Sequence, residues 1–417
     1  MHGVVLTGDG GRALRPAILW PDSRAVAEVA VYRRLPAGQL RRLMNPLVPG
    51  MAGPILLWLA THEPGHYRNA AWALQPKDWL RMQLTGIAAG DPSDASATLL
   101  YDVPADRWHI ELVEALGLEK GLLPPLLRSA GQAGVLTRSA AGELGLAAGT
   151  PVATGAGDTA AGILGTSLTP GQVQMSIGSG IQIVTLRDAA IAADEPVTHL
   201  YRTAEDHGWY ALAAILSGGI ALDWVRRLLG ADWPELYASV TRPARLEDPL
   251  FLPHLAGERT PYLDPGLRGA WVGLGLGHDR TTLLRSALEG VAFAAAEALE
   301  ALDSAGNGVK TTVRLSGRGS TAAAWRQLLA DVLGRPVVAS ASTNASGNGA
   351  ALLAARLLGW PPGPGRVGPT GRAGPPGLET GETRPAESEA DLVAERRRRF
   401  AASVAALRFD IGDTVRI

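Results

Sequence analysis

The sequence predicts an α/β protein with two domains, and three segments carry this prediction. Residues 151–157 are an apolar run that ends in glycines and leads into a helix rich in small side chains. Residues 172–185 are two alternating stretches around a Gly-Ser-Gly turn, and residues 313–319 are a strand with a glycine-rich end before a second helix. Strands that alternate with helices are typical of α/β folds. At 417 residues the chain is long enough for two domains and a substantial core.

The elements of the first predicted domain occupy residues 1–166. A hairpin is expected at 4–14 and a helix at 25–34, and the strand at 151–154 leads to Asp158. His62 and His66 have the spacing of a zinc pair, but a proline and a glycine between them argue against a continuous helix. We therefore predict no metal site from the histidines.

The second predicted domain occupies residues 167–360, from the hairpin at 172–185 onward. Apolar side chains recur at helical spacing over 283–301, and we expect Glu289 and Glu297 to lie on the polar flanks of that helix. A Pro/Gly-rich stretch then predicts a flexible linker at 361–385, followed by a C-terminal helix and tail at 386–417. We interpret Arg396 to Arg399 in that helix as a solvated face.

Charge and composition exclude several classes of function. The 39 basic and 40 acidic residues give a net charge of −1, so no strong field favours nucleic acid or a membrane as a partner. The absence of cysteine excludes disulfides, thiol catalysis and cysteine-ligated zinc. We see no signal peptide and no long uncharged apolar segment, so a cytoplasmic protein is expected.

Asp158 is the first candidate for chemistry. It lies between the carboxyl end of a strand and the start of a helix, where open α/β sheets bind their ligands. A carboxylate there could accept a proton, or it could cap the helix, since Asp is a favoured N-cap. The turns at Gly178–Gly180 and Gly317–Ser320 could each hold an anion or a flat ligand against exposed backbone, or be structural punctuation only.

Six segments, in register from residue 1 to about residue 360, resemble the FGGY family of carbohydrate kinases: 1–3 (MHG), 19–24 (LWPDSR), 76–80 (PKDWL), 155–158 (GAGD), 251–261 (FLPHLAGERTP) and 315–325. The resemblance implies an actin-like (ribonuclease H-like) ATPase fold of two α/β domains around a cleft. It also implies transfer of the ATP γ-phosphate to a sugar hydroxyl, with the pentulose D-xylulose as the expected acceptor.

The resemblance also implies roles for individual residues. Asp158 matches the family's catalytic base, and Met1, His2 and Thr159 lie on the sugar-binding side. The residues that match the ATP side are Gly178, Ser179 and Gly180 in a phosphate loop, Gly317, Gly319 and Ser320 in an adenosine loop, and Gly349. The implied cofactors are ATP and Mg²⁺, which keeps mostly phosphate and water ligands. A sugar and ATP are the expected partners, and a homodimer is a further hypothesis.

The sequence departs from the family pattern in three places. Family members have several dozen residues before the Met-His-Gly motif, with the opening strands and an Asp-x-Gly-Thr phosphate loop. The resemblance therefore implies an incomplete first domain here, and we expect a poorly stable, nearly inactive chain. Asp410-Ile-Gly-Asp-Thr414 is a near match to that loop, which we interpret as chance. Thr159 replaces the asparagine that many members have, and Arg318 replaces a glycine, which leaves the sugar and the nucleotide affinity open.

Other functions remain as alternatives. A kinase for ribulose, gluconate or glycerol is one, and a truncated remnant that binds without turnover is another. A glycosidase would need two facing carboxylates, for which Glu258 and Asp264 are the best local pair, although they are also readily interpreted as loop charges.

Overall fold

The computed structural model describes residues 1–191, 193–304, 312–317, 319, 322–340, 344–360 and 381–414, with only the backbone described at 304 and 409–414. Its strands are β1 (Gly3–Thr7), β2 (Ile18–Leu19), β3 (Trp72–Leu74), β4 (Tyr101–Asp102), β5 (Arg107–Trp108), β6 (Gln132–Val135), β7 (Pro151–Ala153), β8 (Val173–Ile177), β9 (Ile181–Arg187), β10 (His199–Arg202), β11 (Trp209–Ile215), β12 (Leu250–Leu252), β13 (Ala270–Val272), β14 (Val313–Ser316) and β15 (Val337–Ala339). Its α-helices are α1 (Val26–Tyr32), α2 (Ala37–Leu43), α3 (Ala52–His62), α4 (Pro64–Arg68), α5 (Pro76–Thr85), α6 (Pro92–Ala95), α7 (Ile110–Ala115), α8 (Arg138–Leu144), α9 (Asp158–Gly165), α10 (Gly219–Leu228), α11 (Trp233–Ala238), α12 (Arg280–Ser304), α13 (Ala323–Leu333), α14 (Ala345–Leu357) and α15 (Ala390–Thr414).

The chain divides into two compact units that interleave along the sequence. The first unit comprises Met1–Leu168, Arg187–Tyr210 and the described part of Asn344–Pro376, and the second comprises the described remainder. This division differs from the contiguous one predicted at residue 166. Helix α14 belongs to the first unit because it packs against α9, where a Cβ atom on Gly165 would lie only 1.9 Å from the carbonyl oxygen of Ala345. Two helices can approach this closely only where a residue lacks a side chain.

A small antiparallel sheet positions the start of the first unit. Strand β1 pairs with β2 on one side and with β3 on the other, and all five of its residues are buried. Helices α3 and α5 pack against this strand. Met1 and His2 immediately precede β1, so the sheet fixes where their side chains emerge.

Strands of the second unit pair in the order β11-β9-β8-β14-β15. The predicted hairpin is present, with β8 antiparallel to β9, and β14 lies parallel to both β8 and β15. The glycine turn that joins β8 to β9 and the glycine-rich end of β14 follow neighbouring parallel strands. Both therefore lie at the same edge of the sheet.

Two predictions about charged residues of the second unit were wrong. Glu289 on α12 is 1% exposed and Arg396 on α15 is fully buried, and the two form an ion pair. Glu297 is half-buried and accepts a hydrogen bond from the Tyr262 hydroxyl at 2.6 Å. A charged side chain is stable in a protein core when an oppositely charged or hydrogen-bonding partner lies beside it. The periodicity of one helix does not show whether another helix supplies that partner.

The C-terminal helix occupies most of the segment predicted as a helix and tail. Its backbone is helical from 390 to 414, and residues 410–414, the near match to a phosphate loop, lie in this helix and not in a hairpin. The predicted linker lies outside the described residues except for 381–385. No helix in the described part of the chain is long and apolar enough to cross a membrane.

Candidate active site

Asp158 is the first residue of α9, and its carboxylate is open to solvent. The N-cap position is taken by Gly157, which has no side chain to cap the helix. One carboxylate oxygen of Asp158, Oδ1, accepts the N–H of Thr159 at 2.7 Å, and within the described residues the other accepts no hydrogen bond. An exposed carboxylate with a free oxygen is available to accept a proton from a ligand.

The structure brings Met1 and His2 to the same place in the first unit. Gly157, next to Asp158, packs on Met1, because a Cβ atom on Gly157 would lie 3.2 Å from the Met1 sulfur. His2 has a φ of 53°, a left-handed conformation that few residues other than glycine adopt. Such conformations cluster at ligand sites, where the surrounding structure maintains them.

His2 is held by one buried carboxylate. Asp94 Oδ1 accepts the backbone N–H of His2 at 3.2 Å, and the same oxygen lies 3.5 Å from His2 Nδ1. The side chain of Asp94 is completely buried, whereas that of His2 keeps 12% of its surface exposed. Asp94 thus anchors the His2 backbone and places its charge beside Nδ1, which makes no hydrogen bond within the described residues, and the exposed part of the ring is open to a ligand.

Lys77 is the cation at the centre of a buried cluster. Its Nζ lies 2.6 Å from Asp78 Oδ1, 2.6 Å from Asp91 Oδ1 and 3.9 Å from Asp94 Oδ2. Burial lowers the pKa of the ammonium, but the three carboxylates, Asp78 first, raise the pKa of Lys77 above its usual value. Burial raises the pKa of Asp94, yet the hydrogen bond from His2 and the charge of Lys77 hold that pKa well below its usual range. Both groups therefore stay ionised at neutral pH.

A row of aromatic rings packs behind His2. The Tyr201 ring centre lies 5.4 Å from that of His2, 5.3 Å from that of His199 and 5.7 Å from that of Tyr210. The rings of His199, Tyr201 and Tyr210 are each at most 1% exposed. Burial raises the pKa of the Tyr210 hydroxyl well above its usual value, so the hydroxyl stays neutral. Tyr201 thus packs against one side of the His2 ring.

In the second unit, the turn at Gly178–Gly180 is bound to the start of α10. The N–H groups of Gly219 and Ile220 donate to the carbonyl oxygens of Gly178 and Ser179, both at 2.9 Å. A Cβ atom on Gly180 would lie 2.4 Å from the carbonyl oxygen of Ile215, so this turn requires glycine there. Among the described residues, no acceptor binds the N–H of Ser179. A turn with an unused backbone donor can bind an anion.

The glycines that follow β14 lie against the end of β8. Gly317 has a φ of 87°, and a Cβ atom on it would lie 2.4 Å from the carbonyl oxygen of Ile177. A Cβ atom on Gly319 would lie 2.5 Å from the Ile177 side chain. The structure therefore brings the predicted phosphate and adenosine loops together, next to Ile177. Arg318 and Ser320 lie outside the described residues.

Gly349 lies elsewhere, in the first unit on α14. A Cβ atom on it would lie 1.8 Å from the carbonyl oxygen of Ala161 on α9. Close packing of two helices accounts for this glycine, and its contact with ATP stays a prediction.

Glu258 and Asp264 form no open pair of carboxylates. Glu258 is 3% exposed, and its Oε1 accepts the N–H groups of Leu216 at 2.8 Å and Arg259 at 2.9 Å. Its Oε2 lies 3.1 Å from Nδ1 of His254. Since both oxygens are engaged within the second unit, Glu258 holds its loop, as the alternative interpretation of loop charges expects.

Several residues around the candidate base are not predicted by the sequence patterns: Lys77, Asp91, Ser93, Asp94, Tyr201 and Tyr210. One local signal was present, because Asp91-Pro-Ser-Asp94 places an N-cap aspartate before a helical proline and a second aspartate three residues later. The signal predicts a helix start. It does not predict that Lys77 lies within reach of both carboxylates.

Comparison with known proteins gives two family matches that together span most of the chain. Residues 1–165 match the N-terminal domain of the FGGY family of carbohydrate kinases, and residues 174–358 match its C-terminal domain. Over 340 residues the chain is 34% identical to the xylulose kinase of Escherichia coli (strain K12). This match covers 80% of this chain and 69% of that protein.

Solved structures agree with these matches. A crystal structure described as a xyloylose kinase, from Brucella ovis, has a TM-score of 0.86 and 32% identity, and the match covers 98% of this chain and 83% of that one. The gluconate kinase of Lactobacillus acidophilus has a TM-score of 0.88 at 23% identity, covering 99% of this chain and 84% of that one. At that identity the second likeness shows the fold alone.

Proposed function

Since the chain belongs to the FGGY family of carbohydrate kinases, and is thus an ATP-dependent sugar kinase with the two-domain actin-like fold of that family, we propose that its acceptor is a pentulose, D-xylulose, and its product D-xylulose 5-phosphate. The observation that carries the proposal is the open carboxylate of Asp158, in one unit with Met1 and His2. The similarity to xylulose kinases at up to 34% identity supports the choice of sugar.

The proposed mechanism assigns a step to each group. A sugar hydroxyl is a weak nucleophile whose proton must leave as the bond to phosphorus forms. Asp158 would accept this proton at its free carboxylate oxygen. His2, whose backbone N–H is held by Asp94, would bind a sugar oxygen through its imidazole, and Met1 would pack on the carbon chain. Thr159, beside the base, would contact the sugar.

The ATP side of the proposal lies in the second unit. The N–H of Ser179, which binds no acceptor among the described residues, could bind a phosphate oxygen, and the glycines at 317 and 319 leave room for a flat nucleoside. Mg²⁺ would neutralise the phosphates while keeping mainly phosphate and water ligands, so the protein would contribute few ligands. Among the described residues, no group of three or more His, Asp or Glu side chains could hold a metal ion.

Sugar-dependent release of ADP tests the proposal. The purified protein is incubated with ATP, Mg²⁺ and one of D-xylulose, D-ribulose, gluconate or glycerol, and ADP is measured by a coupled assay. We expect the highest kcat/KM with D-xylulose. A preference for another acceptor would identify a different kinase of the family, and sugar binding without ADP release would indicate a remnant that binds only.

Substitution of Gly178 tests the ATP side separately. A Cβ atom on Gly178 would have one neighbour within 4 Å in the described structure, the carbonyl oxygen of Gly180 at 3.9 Å. Gly178 also does not have a left-handed backbone, so a side chain at this position should not strain the turn. Gly178→Val should therefore fold normally and obstruct the phosphates. We expect the KM for ATP to rise about tenfold, a cost of about 1.4 kcal/mol, with the KM for sugar unchanged.

Gly277→Val is the matched control, because a Cβ atom on Gly277 would meet no atom within 4 Å in a loop of the same unit. It should leave both constants unchanged. Equal loss of both substrates in Gly178→Val would show that the hairpin is structural only.

A further inference from the structure

We propose that the cluster around Lys77 positions two separate parts of the sugar site: Asp94 orients His2, and Asp91, through Ser93, orients the backbone just before Asp158. The inference rests on the proposed function, because it concerns how those two residues are presented to the sugar. The four residues Lys77, Asp91, Ser93 and Asp94 are positioning residues, since each acts through another group.

The two aspartates share one cation. Lys77 Nζ lies 2.6 Å from Asp91 Oδ1 and 3.9 Å from Asp94 Oδ2, and both carboxylates are fully buried. Asp78, at 2.6 Å from the same ammonium, is also paired with Arg81 at 2.8 Å. Lys77 is thus surrounded by carboxylates. It faces Oδ1 of Asp91 and Oδ2 of Asp94, so the other oxygen of each aspartate is available for other partners.

The first branch runs from Asp94 to His2. With Oδ2 toward Lys77, Asp94 presents Oδ1 both to the His2 N–H, at 3.2 Å, and to His2 Nδ1, at 3.5 Å. The first of these contacts is a hydrogen bond, and the second brings the carboxylate charge beside a ring nitrogen that makes no hydrogen bond within the described residues. We expect this charge to orient the imidazole toward a ligand.

The second branch runs from Asp91 to the loop before α9. Asp91 Oδ2 accepts the Ser93 hydroxyl at 2.5 Å, and the Ser93 oxygen accepts the N–H of Gly157 at 2.9 Å. Gly157 is the N-cap residue of α9 and immediately precedes Asp158. Asp91 Oδ2 also accepts the N–H of Ser93 and the hydroxyl of Ser129, both at 3.0 Å, which holds the carboxylate still.

The two branches predict different kinetic defects. His2 is proposed to hold the sugar equally in the ground and transition states, whereas Asp158 acts only as the proton is transferred. Loosening His2 should raise the KM for sugar, and displacing Asp158 should lower kcat. If these residues contributed to stability alone, their substitution would change neither the KM for sugar nor kcat selectively.

Asp94→Asn tests the first branch. It keeps the size of the side chain and an oxygen for the His2 N–H but removes the charge facing the ring. We expect the KM for sugar to rise about tenfold, with kcat and the KM for ATP within about twofold of wild type. An unchanged KM for sugar in a folded variant would refute this branch.

Ser93→Ala tests the second branch. It removes the acceptor of the Gly157 N–H and leaves the Asp94–His2 contacts in place. We expect kcat to fall about tenfold with little change in the KM for sugar. Amide exchange of Gly157 should become about fivefold faster, the loss of a bond of about 1 kcal/mol. Unchanged kcat together with unchanged exchange would overturn the branch.

Ser96→Ala is the matched control. Ser96 is also almost completely buried, and its hydroxyl donates to the Ser93 carbonyl oxygen and accepts the N–H of Arg202, so it has no direct bond to His2 or Gly157. It should lower stability about as much as Ser93→Ala while leaving kcat and both KM values unchanged. If it lowers kcat equally, the effect of Ser93 is structural.

The exchange measurement separates this inference from the proposed function. If wild-type protein phosphorylates none of the sugars, the proposed function fails, and faster exchange of Gly157 in Ser93→Ala still reports the positioning bond. If wild type is active and neither variant shows its selective defect, the positioning fails and the kinase assignment stands.

Discussion

Asp158→Asn should lower sugar-dependent turnover by on the order of 10²- to 10⁴-fold, with a modest loss of sugar binding. The amide keeps the shape of the side chain and an oxygen that can accept the N–H of Thr159, which in the wild-type protein lies 2.7 Å from Oδ1 of Asp158. It lacks the ability to accept the hydroxyl proton. Because Gly157 and not Asp158 occupies the N-cap, the substitution removes no cap of α9, and we expect the fold to persist.

Steady-state kinetics with the preferred sugar, together with calorimetric titration of that sugar, measure both quantities. A suitable control is Asp188→Asn, since Asp188 lies beyond β9 and is exposed, and this variant should behave as wild type. Near-normal turnover of a folded Asp158→Asn protein would exclude Asp158 as the base and leave it only the local hydrogen bond to Thr159.

Local patterns predicted most of the elements around the site. The strand before Asp158, the hairpin at Gly178–Gly180 and the strand–glycine–helix unit from 313 were all confirmed. Such elements depend on the spacing of apolar residues and on glycines at turns, both of which can be read within about ten residues. The family resemblance was confirmed as well.

The charged interior could not be predicted in the same way. Lys77 is 17 residues from Asp94 in sequence, and Arg396 is 107 residues from Glu289, so no helical or strand period relates the partners. A charge is stable in the interior only when its partner is also there. Without that knowledge, Glu289 and Arg396 are assigned to the surface, which was wrong.

The Arg396 pair should contribute most to the attachment of α15 to the second unit. Arg396 Nε lies 3.0 Å from both carboxylate oxygens of Glu289, and its Nη1 donates to the carbonyl oxygens of Arg245 at 2.7 Å and Asp248 at 2.9 Å. Arg396→Met fills much of the same space but leaves Glu289 and four carbonyl oxygens, those of Arg245, Leu246, Asp248 and Pro249, without this donor. Removal of one partner of a fully buried pair costs about 3–5 kcal/mol.

Hydrogen exchange of the α12 amides, which reports the free energy of local opening, measures this loss. Arg398→Met is the matched control on the same helix, because Arg398 is 71% exposed and its ion pair within the described part of the chain is with Glu395, three residues earlier. An exposed pair contributes about 0–1 kcal/mol, so this variant should change exchange little.

A second substitution distinguishes buried charge from lost packing. Of the cations that the described residues place beside Glu289, Arg396→Met leaves Arg285, whose Nη1 is 3.3 Å away. Much of the cost in stability therefore comes from a buried carboxylate whose charge is poorly compensated. Adding Glu289→Gln removes that charge and should restore part of the lost stability, although Glu289→Gln alone should destabilise the protein by leaving Arg396 unpaired. If the two substitutions instead add, the charge pair contributes nothing beyond packing, and α15 is held by its apolar contacts, such as those of the buried Phe400 and Val404.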